Sequence, residues 1–461
     1  MTGNLIHHLL LLVLLILFGS CTKPQQSDHQ PLPNIILVMS DDQGWGDTGY
    51  NGHPHLKTPT LDDMAKNGVV FNRFYAASAV CSPTRGSVMT GRHPDRYGIY
   101  YANSGHMPAS EITLAEMVKE QGYTTGHFGK WHLGTLTRDT IDANRGGRPE
   151  NDQHYSPPWE NGFDVCFSTE SKVPTWDPMV VPPVSAGDVS PKLESGKAFG
   201  TYYWDGPGQI ETSNLDGDDS RIIMDRVIPF IERAMDSEKP FLAVIWFHTP
   251  HLPVLTGENY KNSYAGLSED QQQYYGTLTA MDEQIGRLRA YLRELNIEEN
   301  TVLFFTSDNG PEGPEVKGRT QGITKGLNGR KRSLKEGGIR VPGLIEWPGT
   351  IQPGVVDQYP AFTSDYFPTI ASMIGININE YQKSYDGVDL MPILSRARAP
   401  RGREKPLVFK LRDQVALIDN QYKIYSEDGG EHFRLFDLNN DPEEGVDLTE
   451  TMPERSTELI Q

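Results

Sequence analysis

Cys81 opens the stretch Cys81-Ser82-Pro83-Thr84-Arg85-Gly86-Ser87-Val88-Met89-Thr90-Gly91-Arg92, which sets a thiol, a proline and a guanidinium at fixed spacing. On a helix Arg85 stands one turn along from Cys81 and faces the same side. Such a cysteine is either a reactive centre or a buried residue at a helix start with proline and arginine as cap chemistry. Elsewhere, Asp41, Asp42, Asp308 and Asn309 form an all-oxygen donor set, suited to calcium or magnesium and poor for zinc. Asp-Asp and Asp-Asn-Gly are also ordinary turn residues, so what precedes them decides between the readings.

Three further segments offer cations and proton donors. Lys130 and His132 lie in Gly129-Lys130-Trp131-His132-Leu133-Gly134. Phe247-His248-Thr249-Pro250-His251-Leu252-Pro253 presents two competing histidines, and Leu327 to Gly338 carries Arg330, Lys331, Arg332 and Lys335, any of which could meet an anion on charge alone. The chain's formal net charge is −19, which argues against nucleic acid as a partner and against an anionic membrane surface. An anionic substrate therefore needs a local cluster of cations.

The elements that must position these groups are legible as apolar runs. Asn34 to Met39, Tyr123 to Phe128, Phe241 to Phe247 and Thr301 to Thr306 read as strands buried on both faces. Helical patterns at Leu61 to Gly68, Thr113 to Gln121, Ser220 to Met235 and Gln271 to Leu295 fall between them. The alternation predicts an α/β fold, a mostly parallel central sheet with helices on both faces. Sites in such sheets form beyond the carboxyl ends of the strands, and Asp41-Asp42, Lys130 and His132, His251, and Asp308-Asn309 follow the four runs in turn. From Met373 onward short alternating segments, Val415 to Ile418, Tyr422 to Tyr425 and Phe433 to Asp437, predict a small C-terminal α+β subdomain with an antiparallel sheet. The expected division is 33–372 for the catalytic domain and 373–461 for the subdomain.

C-x-P-x-R followed by T-G-R closely resembles the signature of the formylglycine-dependent sulfatases, the arylsulfatase-like branch of the alkaline phosphatase superfamily. Gly129 to Gly134 resembles the family's G-K-W-H-L-G, His251 falls on its P-H-x-P, Leu327 to Gly338 resembles G-x-K-x-S-x-x-E-G-G with Lys331 at its Lys, and Leu435 to Glu444 resembles the end of the family's C-terminal subdomain, so the likeness runs from about Pro33 to Leu448. It implies that a maturation enzyme oxidises Cys81 to formylglycine, whose hydrate attacks sulfur with one hydroxyl and expels sulfate through the other. It also implies one calcium ion, with magnesium as the alternative, held by Asp41, Asp42, Asp308 and Asn309 together with residue 81 itself, the modified Cys81. By the same likeness Arg85 holds the formylglycine, Lys130 and Lys331 meet sulfate oxygens, His132 meets the formylglycine hydroxyl, and His251 is the general acid with His248 in support. Two competing functions remain at this point: a phosphate or phosphonate monoester hydrolase of the same superfamily, and an inactive glycan-binding surface lipoprotein. Between Arg138 and Asp219 a long insertion carries Tyr155, Trp159, Trp176, Tyr202, Tyr203 and Trp204. Aromatic faces pack on sugar C–H faces, which favours a sulfated glycan or polysaccharide as substrate.

Met1 to Cys21 reads as a signal peptide of bacterial lipoprotein type, with Cys21 as the lipidated residue and 22–32 as a flexible tether; an ordinary secretory signal is the alternative. Either reading exports the protein, to the periplasm or the outer membrane of a bacterium, and the lipid would be its one membrane attachment. The three cysteines are Cys21, Cys81 and Cys166, too few for a disulfide framework.

Overall fold

The computed structural model describes residues 31–396 and 402–461; the expected signal peptide, Cys21 and nearly all of the tether lie outside them. Pro33 to Gln461 form one compact unit. Its spine is a ten-stranded sheet with five parallel strands in the middle: β1 (Asn34–Ser40), β2 (Thr124–Lys130), β3 (Val165–Thr169), β4 (Phe241–Trp246) and β5 (Thr301–Ser307), in the order β5-β1-β4-β2-β3. β1, β4 and β5 are buried along their whole length, which is why their sequences are continuous apolar runs and not alternating ones. The antiparallel strands sit towards the edges. Gly343–Glu346 pairs with β5 on one side, and Trp204–Gly206 pairs with β3 on the other.

Successive side chains of the central strands go to opposite faces. Ile36, Val38, Ala243, Ile245, Leu303 and Phe305 pack into one cluster with α1 (Pro59–Asn67), α4 (Asp219–Asp236) and α5 (Glu269–Glu294). The opposite face carries α2 (Cys81–Thr90) and α3 (Leu114–Lys119), and there Phe304 of β5 meets Tyr366, whose helix spans Tyr366–Met373, at 4.7 Å between ring centroids. α3 starts with a capping box between Thr113 and Glu116. No helix among the described residues is long and apolar enough to cross a membrane.

Leu407–Leu411, Gln414–Asp419, Tyr422–Ser426 and Arg434–Asp437 form a four-stranded antiparallel sheet. Its apolar face shares one core with Tyr75, Val80 and Leu334 from the body of the protein. Beneath it Lys423, fully buried, holds Glu336 at 3.1 Å and Glu444 at 2.9 Å. Glu336 begins the short helix Glu336–Ile339 just after the Lys331 segment, so the C-terminal sheet braces that segment.

Candidate active site

Because β1, β2, β4 and β5 run parallel and in register, their carboxyl ends open on one edge of the sheet, and all the chemically competent segments are delivered there. Asp41 and Asp42 leave β1 with Asp42 at φ 68°, a left-handed turn that costs a non-glycine residue strain and is kept where the surroundings impose it. The Asp42 amide donates to Asp308 Oδ1 at 3.1 Å, and Asn309 Nδ2 donates to Asp42 Oδ1 at 2.7 Å. These bonds clamp the β1 and β5 turns together. Two acceptors are left over: Asp41 Oδ1 and Asn309 Oδ1 are buried without a hydrogen-bond partner. Ligand atoms of Asp41, Cys81 and Asp308 lie within 4.8 Å of one another. Buried, unpartnered oxygens in a hard donor set fit a calcium or magnesium ion.

Cys81 is the first residue of α2, and the whole helix is buried. Gly91 ends it in the left-handed conformation, at φ 67°, where an added Cβ would come within 2.7 Å of Phe367 Cβ. Arg85, one turn on from Cys81, is fully buried. It donates twice to Asp308 Oδ2, at 2.7 and 3.1 Å, and once to the Lys130 carbonyl at 2.9 Å, with its guanidinium 5.2 Å above the Trp246 ring. Burial pushes the Cys81 thiol up, against the pull of Lys130 and Lys331. Residue 81 as a thiol is therefore kept protonated and is a poor nucleophile.

Lys130 donates to Asp41 Oδ2 at 2.6 Å, and Lys331 to Asp42 at 2.6 Å, with Glu312 3.1 Å away. Burial raises Asp41, but Lys130, His251, Arg85 and Lys331 outweigh it and hold the carboxyl well below the usual range. Burial also opposes the charge of Lys331, yet Asp42 and its acidic neighbours hold the ammonium well above the usual lysine range. His251 directs Nε2 to within 3.7 Å of Asp42 Oδ2 while Nδ1 donates to the Leu252 carbonyl at 2.6 Å. His132 pairs Nε2 with Asn103 Oδ1 at 2.8 Å. Burial, with Lys130 and Arg85 adding to it, holds the ring well below the usual histidine range, so it stays neutral.

Cys81, Lys130, His132, His251 and Lys331 line one cavity of about 320 Å³. Arg85 and the Asp41, Asp42, Asp308 and Asn309 group form the layer beneath it. His248 is elsewhere, bridging Thr169 at 2.7 Å and Asp219 at 2.8 Å. Arg330 spends its guanidinium on the carbonyls of Gly313, Gly322 and Glu312, and Lys335 lies over the Tyr425 ring. Arg332 reaches the cavity rim but is held by Glu312. Cys166 is buried in β3, away from this cavity.

The insertion differs from expectation. None of its six singled-out aromatics lines the cavity. Tyr203 stacks on Phe167 at 4.0 Å and donates to Asp219, while Trp204 donates to Asp142. Their polar tips find buried partners: Tyr203 joins the main core beside α4, and Trp204 ties the insertion to Asp142. The aromatic at the rim is Tyr101 instead, with Asn103, Asn144, Ser171, Lys172 and Asp188 completing the wall. None of these belongs to a sequence motif.

The family model described as Sulfatase matches residues 33–376. N-acetylgalactosamine-6-sulfatase of Sus scrofa is 33% identical over 437 residues, covering 91% of this chain and 75% of that protein. Steryl-sulfatase of Rattus norvegicus is 32% identical over 419 residues, 79% of this chain and 70% of that protein. Among solved structures, Ps i-CgsB in complex with k-i-k-neocarrahexaose superposes with a TM-score of 0.75 at 26% identity, over 92% of this chain and 90% of that one.

Proposed function

The chain belongs to the sulfatase family, the sulfuric ester hydrolases, and from that premise we propose that it hydrolyses sulfate monoesters carried on a glycan, with residue 81 converted to formylglycine and one calcium ion beside it. The observation that carries the reading is the cavity itself, where two lysines and two histidines surround residue 81 above a cradle of carboxylate and amide oxygens. The sterol and sugar sulfatases stand at nearly equal identity to this chain, so identity does not choose a substrate. The oligosaccharide complex of a structural relative supports the glycan.

The chain's own groups divide the work. Lys130 and Lys331 face the cavity with ammonium groups that meet sulfate oxygens, reversing locally the sign of a chain of net charge −19. His251 Nε2 reaches into the same space. Burial lowers the ring to about 4 and Nδ1 already spends a proton on the Leu252 carbonyl, so Nε2 is protonated, and can give that proton to the departing sugar oxygen, once a bound anionic sulfate favours the imidazolium. Arg85 fixes Asp308 and the Lys130 backbone and so sets the positions of both neighbours of residue 81. His132, neutral, offers an unprotonated nitrogen next to residue 81. Asp41, Asp42, Asp308 and Asn309 would hold the divalent ion, which supplies positive charge against the sulfate and the hydroxyl that attacks it. The aldehyde hydrate supplies a nucleophile and an exit for sulfate that needs no second attack at sulfur.

The test is a matched pair of esters of one sugar alcohol, sulfate and phosphate, assayed with enzyme co-expressed with a formylglycine-generating enzyme. Sulfate should be the faster by orders of magnitude. Faster turnover of the phosphate would replace this reading with a phosphomonoesterase. We also propose export to the bacterial envelope through a lipid on Cys21, checked by labelling cells with a fatty acid and comparing Cys21→Ala.

A further inference from the structure

The Cys81 cavity does not end at its own rim. Asn144, Ser171, Lys172 and Asp188 line it and also line a second cavity of about 400 Å³ that continues into the insertion, where Leu193 and Phe199 add an apolar wall. Both volumes fall in the range of small-molecule sites, about 300–1,000 Å³. The boundary between the two cavities is an ion pair, Lys172 to Asp188. The segment that carries Asp188 is tied to the His251 loop, because the Val254 amide donates to the Ala186 carbonyl at 2.9 Å. Gly187, at φ 83°, packs against Leu252, whose Cδ2 would lie 2.8 Å from an added Cβ. The second cavity's wall is thus fixed relative to the proposed acid.

The charges of the two cavities differ. The first holds Lys130 and Lys331 around the proposed sulfate. At the second, Lys172 is the one cation of the lining and Asp188 neutralises it, so a second sulfate or a carboxylate placed there would be repelled by Asp188 as much as it is drawn by Lys172. A hydroxyl both donates and accepts. An ammonium, a carboxylate, the Asn144 amide and the Ser171 hydroxyl side by side suit neighbouring hydroxyls, and Leu193 and Phe199 suit the C–H face of a sugar ring.

We propose that this second cavity binds the uncharged sugar adjoining the sulfated one, read through its hydroxyls by Asp188 and Lys172, so that the substrate is an oligosaccharide and not a lone sulfated monosaccharide. This rests on the glycan sulfatase reading above. The test compares kcat/KM for four substrates: 4-nitrophenyl sulfate, a sulfated monosaccharide, the same sugar joined to a neutral sugar, and the same sugar joined to a sulfated or uronic one. The neutral disaccharide should exceed the monosaccharide by roughly tenfold or more, as expected for one or two added hydrogen bonds with apolar contact. Asp188→Asn and Phe199→Ala should each reduce the ratio of disaccharide to 4-nitrophenyl sulfate by about tenfold. A ratio of one for disaccharide over monosaccharide, unchanged ratios in both variants, or preference for the charged disaccharide would overturn the proposal while leaving a working sulfatase. Failure to hydrolyse any of the four sulfates would remove the reading beneath it.

Discussion

Two histidines three residues apart, His248 and His251, should fail in different ways when removed. His251 has 12% of its side chain exposed, in the Cys81 cavity, whereas His248 is wholly buried between Thr169 and Asp219. An alkoxide leaving a sugar needs a proton, while an activated aryl oxide leaves with little help. Loss of a general acid costs about 10²–10⁴ in rate, or about 2.7–5.5 kcal/mol of barrier. His251→Ala should therefore lower kcat on a sugar sulfate by roughly that factor and slow 4-nitrophenyl sulfate far less. His248→Ala leaves a buried carboxylate and hydroxyl without their partner, a cost of about 1–3 kcal/mol in stability. Any activity it loses should be lost equally on both substrates. Steady-state kinetics on the two esters, with urea unfolding of each variant, separates the cases. Equal loss on both esters in His251→Ala, or selective loss in His248→Ala, would refute the assignment.

The remaining expectations concern residue 81, the metal and buried charge. Mass spectrometry of the tryptic peptide Phe74 to Arg85 from active enzyme should show the aldehyde and not the thiol; a fully active thiol form would sink the mechanism. Chelation should abolish activity and calcium should restore it. Calcium at about 100 times its dissociation constant should also stabilise the fold by about 2.7 kcal/mol, a shift that Asp308→Ala should lose. Burial, then the charge of Asp142, raises Glu170 to about 8 despite Arg145. Its folded form therefore holds a proton that the unfolded form has released, and stability should fall as pH rises from about 4.5 to about 8, by at most about 1.4 kcal/mol per unit. Glu170→Gln should flatten that slope in urea titrations, and an unchanged slope would mean that the proton resides elsewhere. Lys423→Met strands the Glu336 and Glu444 carboxylates and should cost about 3–5 kcal/mol of stability; a loss below about 1 kcal/mol would show that the buried triad does not brace the Lys331 segment.

The strands β1, β4 and β5 were legible because burial on both faces leaves a continuous apolar run, and the polar residue that ends each run marks a strand's carboxyl end, whereas β3, Val-Cys-Phe-Ser-Thr, is too short and too mixed to stand out and was not read. Asn34 to Met39 followed by Asp41-Asp42, and Thr301 to Thr306 followed by Asp308-Asn309, each carry that mark within ten residues. The second segment, Tyr123 to Phe128, is only partly apolar, with Thr124, Thr125, Gly126 and His127 inside it, and β2 continues beyond it through Lys130, which is buried in an ion pair with Asp41. Two-residue strands such as Phe74–Tyr75, Arg340–Val341 and Ala361–Phe362, which pair with one another, are too short to show any period. The strand Leu407–Leu411 alternates inside and out, but its outward position 408 is an exposed valine, so the sequence does not alternate apolar with polar.

Groups around residue 81 and groups that face the rest of a substrate differ in the same way. Those around Cys81, Lys331 on the loop before Glu336–Ile339 excepted, follow the ends of buried strands or sit on the buried helix α2, so their spacing to apolar neighbours is constrained and local sequence records it. Tyr101, Asn103, Asn144, Lys172 and Asp188 come from five separate loop positions, and Asn103 and Asp188 sit at positive φ. Nothing in their neighbours' sequence requires them to converge. They meet because the strands beneath bring their loops to one edge, and each is exposed enough to be exchanged without unsettling the core. A fold that buries its reactive groups deeply and mounts the surrounding wall on loops can keep one reaction while the wall changes. A change of sugar should accordingly be reached by substitutions at Asn144, Lys172, Asp188 and Phe199, with Cys81, Arg85, Lys130 and Lys331 left as they are.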